Sequence, residues 1–187
     1  MRIILLGLFC LALAALTLWW TSTEEQPPST LSQLNNQGLD YFIRDIKTIT
    51  LGPNGQPTQT LQAAAIRHFR ADGGTQLQQP MLLMHPETGP PWHLTAANGH
   101  LSVTGDELIL AGPVQITRAE SPTTAPVQLD TQNVRIQTQQ HYLETPEPVQ
   151  VVSAAHHIQA IGMQAWLQAP VKLHFLHAVR GHYVPRQ

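Results

Sequence analysis

The sequence predicts an all-β domain of stacked antiparallel strand units behind a single N-terminal membrane helix. Three observations lead there. Downstream of position 40, apolar residues recur every second position in short runs separated by Gly, Pro, Asn or Asp. That spacing lines one face of a strand. A repeat also runs through the chain: Leu61-Gln62-Ala63 is followed 19 positions on by Pro80-Met81-Leu82-Leu83, Leu94-Thr95-Ala96 by Pro113-Val114-Gln115-Ile116, and Leu129-Asp130-Thr131 by Pro148-Val149-Gln150-Val151. The units start 33 and 35 residues apart, a period typical of supersecondary units that share one apolar face. Finally, Ile3 to Trp20 is an uncharged run of 18 residues, roughly 27 Å as a helix and close to a hydrocarbon core of about 30 Å.

The elements follow in order. Residues 1–22 read as a membrane anchor, with Arg2 before the apolar run, Glu24 and Glu25 after it, and Trp19-Trp20 at the expected interface. The positive-inside rule places the N-terminus in the cytoplasm and the bulk of the chain on the other side. Residues 23–40, with Pro27-Pro28 and Asn35-Asn36, read as a polar linker. Residues 41–187 form the β domain. Tyr41–Leu51 and Gln56–Ile66 flank Pro53-Asn54-Gly55, and Asn-Gly tolerates the positive φ of a tight hairpin. The alternating runs then follow, with breaks expected at Asn98-Gly99, Gly105-Asp106 and Gly112-Pro113. Ala154–Gln168 has helical propensity, but Gly162 and the Ile158/Ala160 alternation favour strands.

Composition narrows the function. Charged residues make up 12% of the chain, about half the usual share, so Gln, Thr and Ala carry much of the polar surface. The net charge of −2 and scattered Lys and Arg provide no basic stripe for a nucleic acid. Cys10, the single cysteine, lies inside the apolar run. No G-x-S-x-G, H-E-x-x-H, P-loop or G-x-G-x-x-G occurs, so no enzymatic activity and no cofactor is expected. The ten histidines are dispersed or adjacent, as at His156-His157. Neighbours on a strand face opposite ways, so no local cluster supplies the three or four convergent ligands of a metal site.

Several segments, in their order and spacing, resemble the LptC family of the lipopolysaccharide export system of Gram-negative bacteria. They are the anchor and linker, Tyr41-Phe42-Ile43, the Pro53-Asn54-Gly55 hairpin, Trp92-His93-Leu94-Thr95-Ala96 leading to Leu110-Ala111-Gly112-Pro113-Val114, Leu129-Asp130-Thr131-Gln132-Asn133, and Ile161-Gly162-Met163 through Val179-Arg180-Gly181-His182-Tyr183. The resemblance covers essentially the whole chain. It implies an open antiparallel β-jellyroll held to the inner membrane by one span, with the domain in the periplasm. It also implies three partners: lipopolysaccharide, an inner-membrane ABC transporter that extracts it, and the periplasmic bridge protein LptA.

By parity, the candidate inward face comprises Met81 and Leu83, Trp92 and Leu94, Leu101 and Val103, Leu108 and Leu110, Val114 and Ile116, Leu129 and Ile136, and Val149 and Val151. On residues alone this set is an ordinary core; the resemblance makes it a groove for acyl chains. Within the Met81–Met84 run, Leu82 and Met84 are expected outward. Tyr41 and Ile43 at one end, and Val179, Gly181 and Tyr183 at the other, are the expected partner edges. The alternative is an anchored periplasmic adaptor that binds proteins only, around a closed core.

Overall fold

The computed structural model describes residues 39–69, 73–154 and 156–182, all within the unit Gly38–Gln187. The expected anchor, most of the linker and Tyr183 lie outside the described residues. Among the described residues no helix is long and apolar enough to cross a membrane.

Among the described residues ten antiparallel strands make one sheet: β1 (Leu39–Leu51), β2 (Pro57–Phe69), β3 (Thr75–Gln78), β4 (Met81–Met84), β5 (Trp92–Leu101), β6 (Glu107–Arg118), β7 (Val127–Gln137), β8 (Tyr142–Ser153), β9 (His156–Trp166) and β10 (Lys172–His182). Each pairs with its sequence neighbour, except that β3 and β4 share one position between β2 and β5. There β4 covers Gln59–Gln62 of β2, and β3 covers Ala65–His68. Among the described strands β1 contacts only β2 and β10 only β9, so the roll does not close through its terminal strands.

The short alternating runs of the sequence are mostly halves of longer, bent strands. Ladder irregularities fall at Ala96/Asn98, Leu110/Pro113, Asp130/Arg135, Thr145/Pro148 and His177/Arg180. Gly112, Asn133, Gly162 and Ala178 have positive φ at this level. A bulge adds an unpaired residue and bends its strand. The prolines of the repeat sit on the same line: Pro113 and Pro148 at irregularities, and Pro80 between β3 and β4, after Gln79 at φ 49°. Proline has no N–H for a ladder, so it is tolerated where the ladder is already interrupted. Gly112-Pro113 and Asn98-Gly99 are therefore bends within strands, not strand ends, whereas Gly105-Asp106 does turn the chain between β5 and β6.

Side chains hold the bends together. Gly112 N donates to Asn133 Oδ1 (3.0 Å), and Asn133 Nδ2 donates to Glu147 Oε1 (3.1 Å). On the inner face, Thr131 Oγ1 donates to the Pro148 carbonyl (2.9 Å) and Thr145 Oγ1 to that of Gln132 (2.7 Å). These groups answer backbone positions that the bulges withdraw from the ladder.

The two halves of the sheet fold towards each other. Gln59, near the free end of one half, donates through Nε2 to the carbonyl of Thr138, at the free end of the other. Both halves contribute to one buried apolar cluster.

Candidate functional site

Cross-strand partners share a face, so the register turns the alternating residues into rows. One row on the first half of the strands runs Leu61–Leu82–Leu94–Ile116–Leu129–Val151–Ile158. Another, on the second half, runs Leu101–Leu108–Ile136–Leu143–Ala165–Leu173. Between them lie Gly99, Leu110 and Val134, and then Met163 with Phe175. The result is an apolar lining that crosses the sheet from β2 to β10.

Ten of the fourteen residues expected inward are buried there: Trp92, Leu94, Leu108, Leu110, Val114, Ile116, Leu129, Ile136, Val149 and Val151. Leu101 is partly buried against them. Three positions need correction. In β4 the parity is reversed: Leu82 and Met84 are 2% and 1% exposed, while Met81 and Leu83 are half-buried on the other face. The register decides this, because Leu82 pairs with Leu94 and Met84 with Trp92. Val103 is 71% exposed. It lies in a turn held by Ser102 N to the Glu107 carbonyl (2.9 Å) and Gly105 N to the Ser102 carbonyl (3.0 Å), beyond the reach of the ladder.

The inward set also includes Val134, Leu143, Met163 and Ala165, all at or near zero exposure. In the sequence Val134 alternates with Ile136, whereas the Ile158/Ala160 alternation points away from Met163 and Ala165. Assigning them to the same face needed the phase change across Asn133 and Gly162.

The free ends of the two halves form a lip with its own polar chemistry. Gln59, Thr60, Thr138 and His141 account for four of the six buried polar residues among the described residues. The His141 ring bonds to the backbone of Gln139 and Thr58, and burial lowers its pKa from 6.5 in spite of those bonds. Gln168 Nε2 lies 3.0 Å from His141 Nδ1, and Leu167 N donates to the His141 carbonyl (3.0 Å). Thr138 Oγ1 also donates to the Gly105 carbonyl (3.0 Å). These bonds clasp the β7–β8 turn to β2 on one side and to the β5–β6 turn on the other.

The terminal edges differ from this interior. Tyr41, Ile43 and Val179 are exposed, as is Gly181. Val179 falls inside the β10 bulge, between His177 and Arg180, where it has no ladder partner. A cleft of about 560 Å³ opens at the bends of β7 to β10, where the outward row Asp130, Gln150, Gln159 and Arg180 meets Thr131, Val149 and Ala160. Among the described residues no group of three or more His, Cys, Asp or Glu is placed to hold a metal ion.

The class of protein is thus an open, all-antiparallel β-jellyroll with an apolar interior and terminal strands that are each paired on one side among the described strands. Among solved structures it is similar to LptH, the LptA-homologous periplasmic component of the lipopolysaccharide transport device of Pseudomonas aeruginosa. The TM-score is 0.54 at 10% identity, covering 68% of this chain and 95% of that one; at that identity the likeness concerns the fold. No curated protein matches the chain. Residues 7–184 match the family described as Lipopolysaccharide-assembly, LptC-related, and the chain belongs to that family. Its role lies in lipopolysaccharide transport.

Proposed function

We propose that this chain is the membrane-anchored component of a lipopolysaccharide transport bridge. It accepts lipopolysaccharide from an inner-membrane ABC transporter and passes it to a periplasmic LptA-like protein. The observation that carries this reading is the apolar lining that crosses the sheet from β2 to β10, in a sheet whose terminal strands β1 and β10 each pair on one side only among the described strands. An acyl chain costs about 0.8 kcal/mol per CH₂ in water, so a dozen carbons cost on the order of 10 kcal/mol. Lining the route with Leu94, Leu110, Val114 and Val151 removes most of that barrier.

In this reading Ile3–Trp20 anchors the chain in the inner membrane, with the N-terminus in the cytoplasm and the jellyroll in the periplasm. An unpaired edge accepts another sheet through backbone hydrogen bonds. The β1 edge at Tyr41 and Ile43 would meet the transporter, and the β10 edge at Val179 and Gly181 the LptA-like protein.

A second reading, an anchored adaptor that binds proteins only, is favoured by one observation. Leu94, Leu108, Leu110, Val134 and Ile136 have no exposure at all, as in an ordinary core. Photoactivatable residues in living cells separate the two. Capture of lipopolysaccharide at Leu110 and Val151, but not at outward Gln115 and Gln150, supports the lipid path. Protein capture at the edges with no lipid at any inward position supports the adaptor.

A further inference from the structure

The lip carries a cation that neither the core nor the clasp explains. Arg118 closes β6 and pairs with Trp92 of β5. Trp92 is inward and 2% exposed, so the register puts Arg118 on the inward side too. Its row reads Gln59–Met84–Trp92–Arg118–Val127, beside the Leu82–Leu94–Ile116 row. Among the described residues, no other Lys, Arg, Asp or Glu occupies a position in these inward rows. The guanidinium lies over the Trp92 ring, 4.7 Å from its centroid. One Nη2 donates to the Ala125 carbonyl (3.3 Å). Arg118 makes no ion pair among the described residues, and burial alone pushes its pKa below the ordinary guanidinium value.

Two donors there lack a protein acceptor: Trp92 Nε1 and Arg118 Nε are both buried without a hydrogen-bond partner. A buried N–H left unpaired costs roughly 1–3 kcal/mol, and more when charged. A planar guanidinium with free N–H groups matches the oxygens of a phosphate or carboxylate. The indole N–H adds a neutral donor on the same row. Next to them begins the apolar lining.

We propose that Arg118 and Trp92 form an anion-recognition point at the lip. It takes a phosphate-class group on the headgroup of an amphiphile whose acyl chains lie along the inward rows. The inference rests on the lipid-path reading and extends it: the interior would sort cargo by headgroup charge as well as by acyl content. The Gln59–Thr138 clasp lies on the same lip, so its opening would uncover donors and lining together.

The test uses the full chain in detergent micelles and two synthetic glycolipids with identical acyl chains, one bearing a single phosphate and one none. Wild-type protein should prefer the phosphorylated form. Arg118→Gln should weaken binding of that form by about tenfold or more, as expected for loss of a charged hydrogen bond, and leave the other unchanged. Arg118→Lys should recover part of the preference, because it keeps the charge but not the fork. Trp92→Phe keeps an aromatic face under Arg118, removes the N–H and should lower the preference several-fold. Arg135→Gln, on the outer face, should change neither affinity.

Equal loss for both lipids in Arg118→Gln would show that the arginine only covers Trp92, overturning the inference while leaving the lipid path intact. Binding of neither lipid by wild-type protein would overturn both. Displacement of the phosphorylated lipid by inorganic phosphate at similar concentration would assign the point to free phosphate and overturn the headgroup reading.

Discussion

Replacing Leu82 and Leu83 by alanine, one at a time, separates the two faces of β4 with a single chemistry. Leu82 is 2% exposed and pairs with Leu61 on one side and Leu94 on the other. Its truncation loses the transfer energy of three heavy atoms and leaves a cavity in a row with little freedom to collapse. Such changes cost about 2–5 kcal/mol. For a domain of this size each kcal/mol shifts Tm by about 2–4 °C, so a mid-range loss of about 3 kcal/mol lowers Tm by roughly 6–12 °C. Leu83 lies half-buried on the other face between Thr60 and His93, and its truncation should cost about 1 kcal/mol or less. Urea unfolding at fixed pH, with m unchanged between variants, reads both values. A larger loss for Leu83→Ala than for Leu82→Ala would refute the register that places β4.

Other outcomes follow from the bends and the clasp. Gly162 and Gly112 have φ of 76° and 75°, but a Cβ at Gly162 would meet Leu176 Cδ1 at 2.9 Å while one at Gly112 meets nothing. Gly112→Ala should therefore cost about 1–2 kcal/mol of backbone strain. Gly162→Ala should cost more, and Leu176→Ala should recover only the excess; equal melting shifts would contradict this. Gln59→Ala leaves the Thr138 carbonyl buried without its donor and should destabilise by about 1–3 kcal/mol; urea unfolding that shows no change would remove the clasp from the account. For His141, burial holds the folded pKa below 6.5, so the unfolded chain binds the proton first as pH falls. The stability this provides is intact above the unfolded pKa and declines as pH drops through it towards the lower folded pKa. His141→Gln should flatten that part of a Tm–pH profile, and an unchanged profile would exclude His141 as its source.

Much of the fold was legible because its rules are local. The hairpin around Asn54-Gly55, the β character of 156–166 and the inward parity of Leu108, Leu110, Val114 and Ile116 follow from turn chemistry and period-two alternation. The repeat was legible as well, but its meaning was not. Leu61, Leu94 and Leu129 pair with Leu82, Ile116 and Val151, so each unit is a strand with its neighbour, and each repeated proline marks a bend instead of a start. Parity changes between Leu129/Thr131 and Val134/Ile136 are visible in the sequence. Bent single strands and separate short ones produce the same pattern there, and only the ladder distinguishes them. Met81 and Leu83 were misplaced for a related reason. A four-residue run that is apolar throughout has no phase of its own, and it takes one from Leu94 across the ladder. The lip was not legible, because Gln59 and Thr138 are 79 positions apart and nothing in their types brings them together.

The central claim, that the inward rows carry acyl chains, is tested most directly by a photo-crosslinking scan of consecutive positions along β7. Asn133 shifts the phase of that strand: Leu129 and Thr131 face inward before it, Val134 and Ile136 after it. Lipopolysaccharide capture should occur at 129, 131, 134 and 136 and fail at 128, 130, 135 and 137, with the phase slipping by one residue at the bend. Capture that keeps odd parity past Asn133, or that is uniform along the strand, would contradict the account.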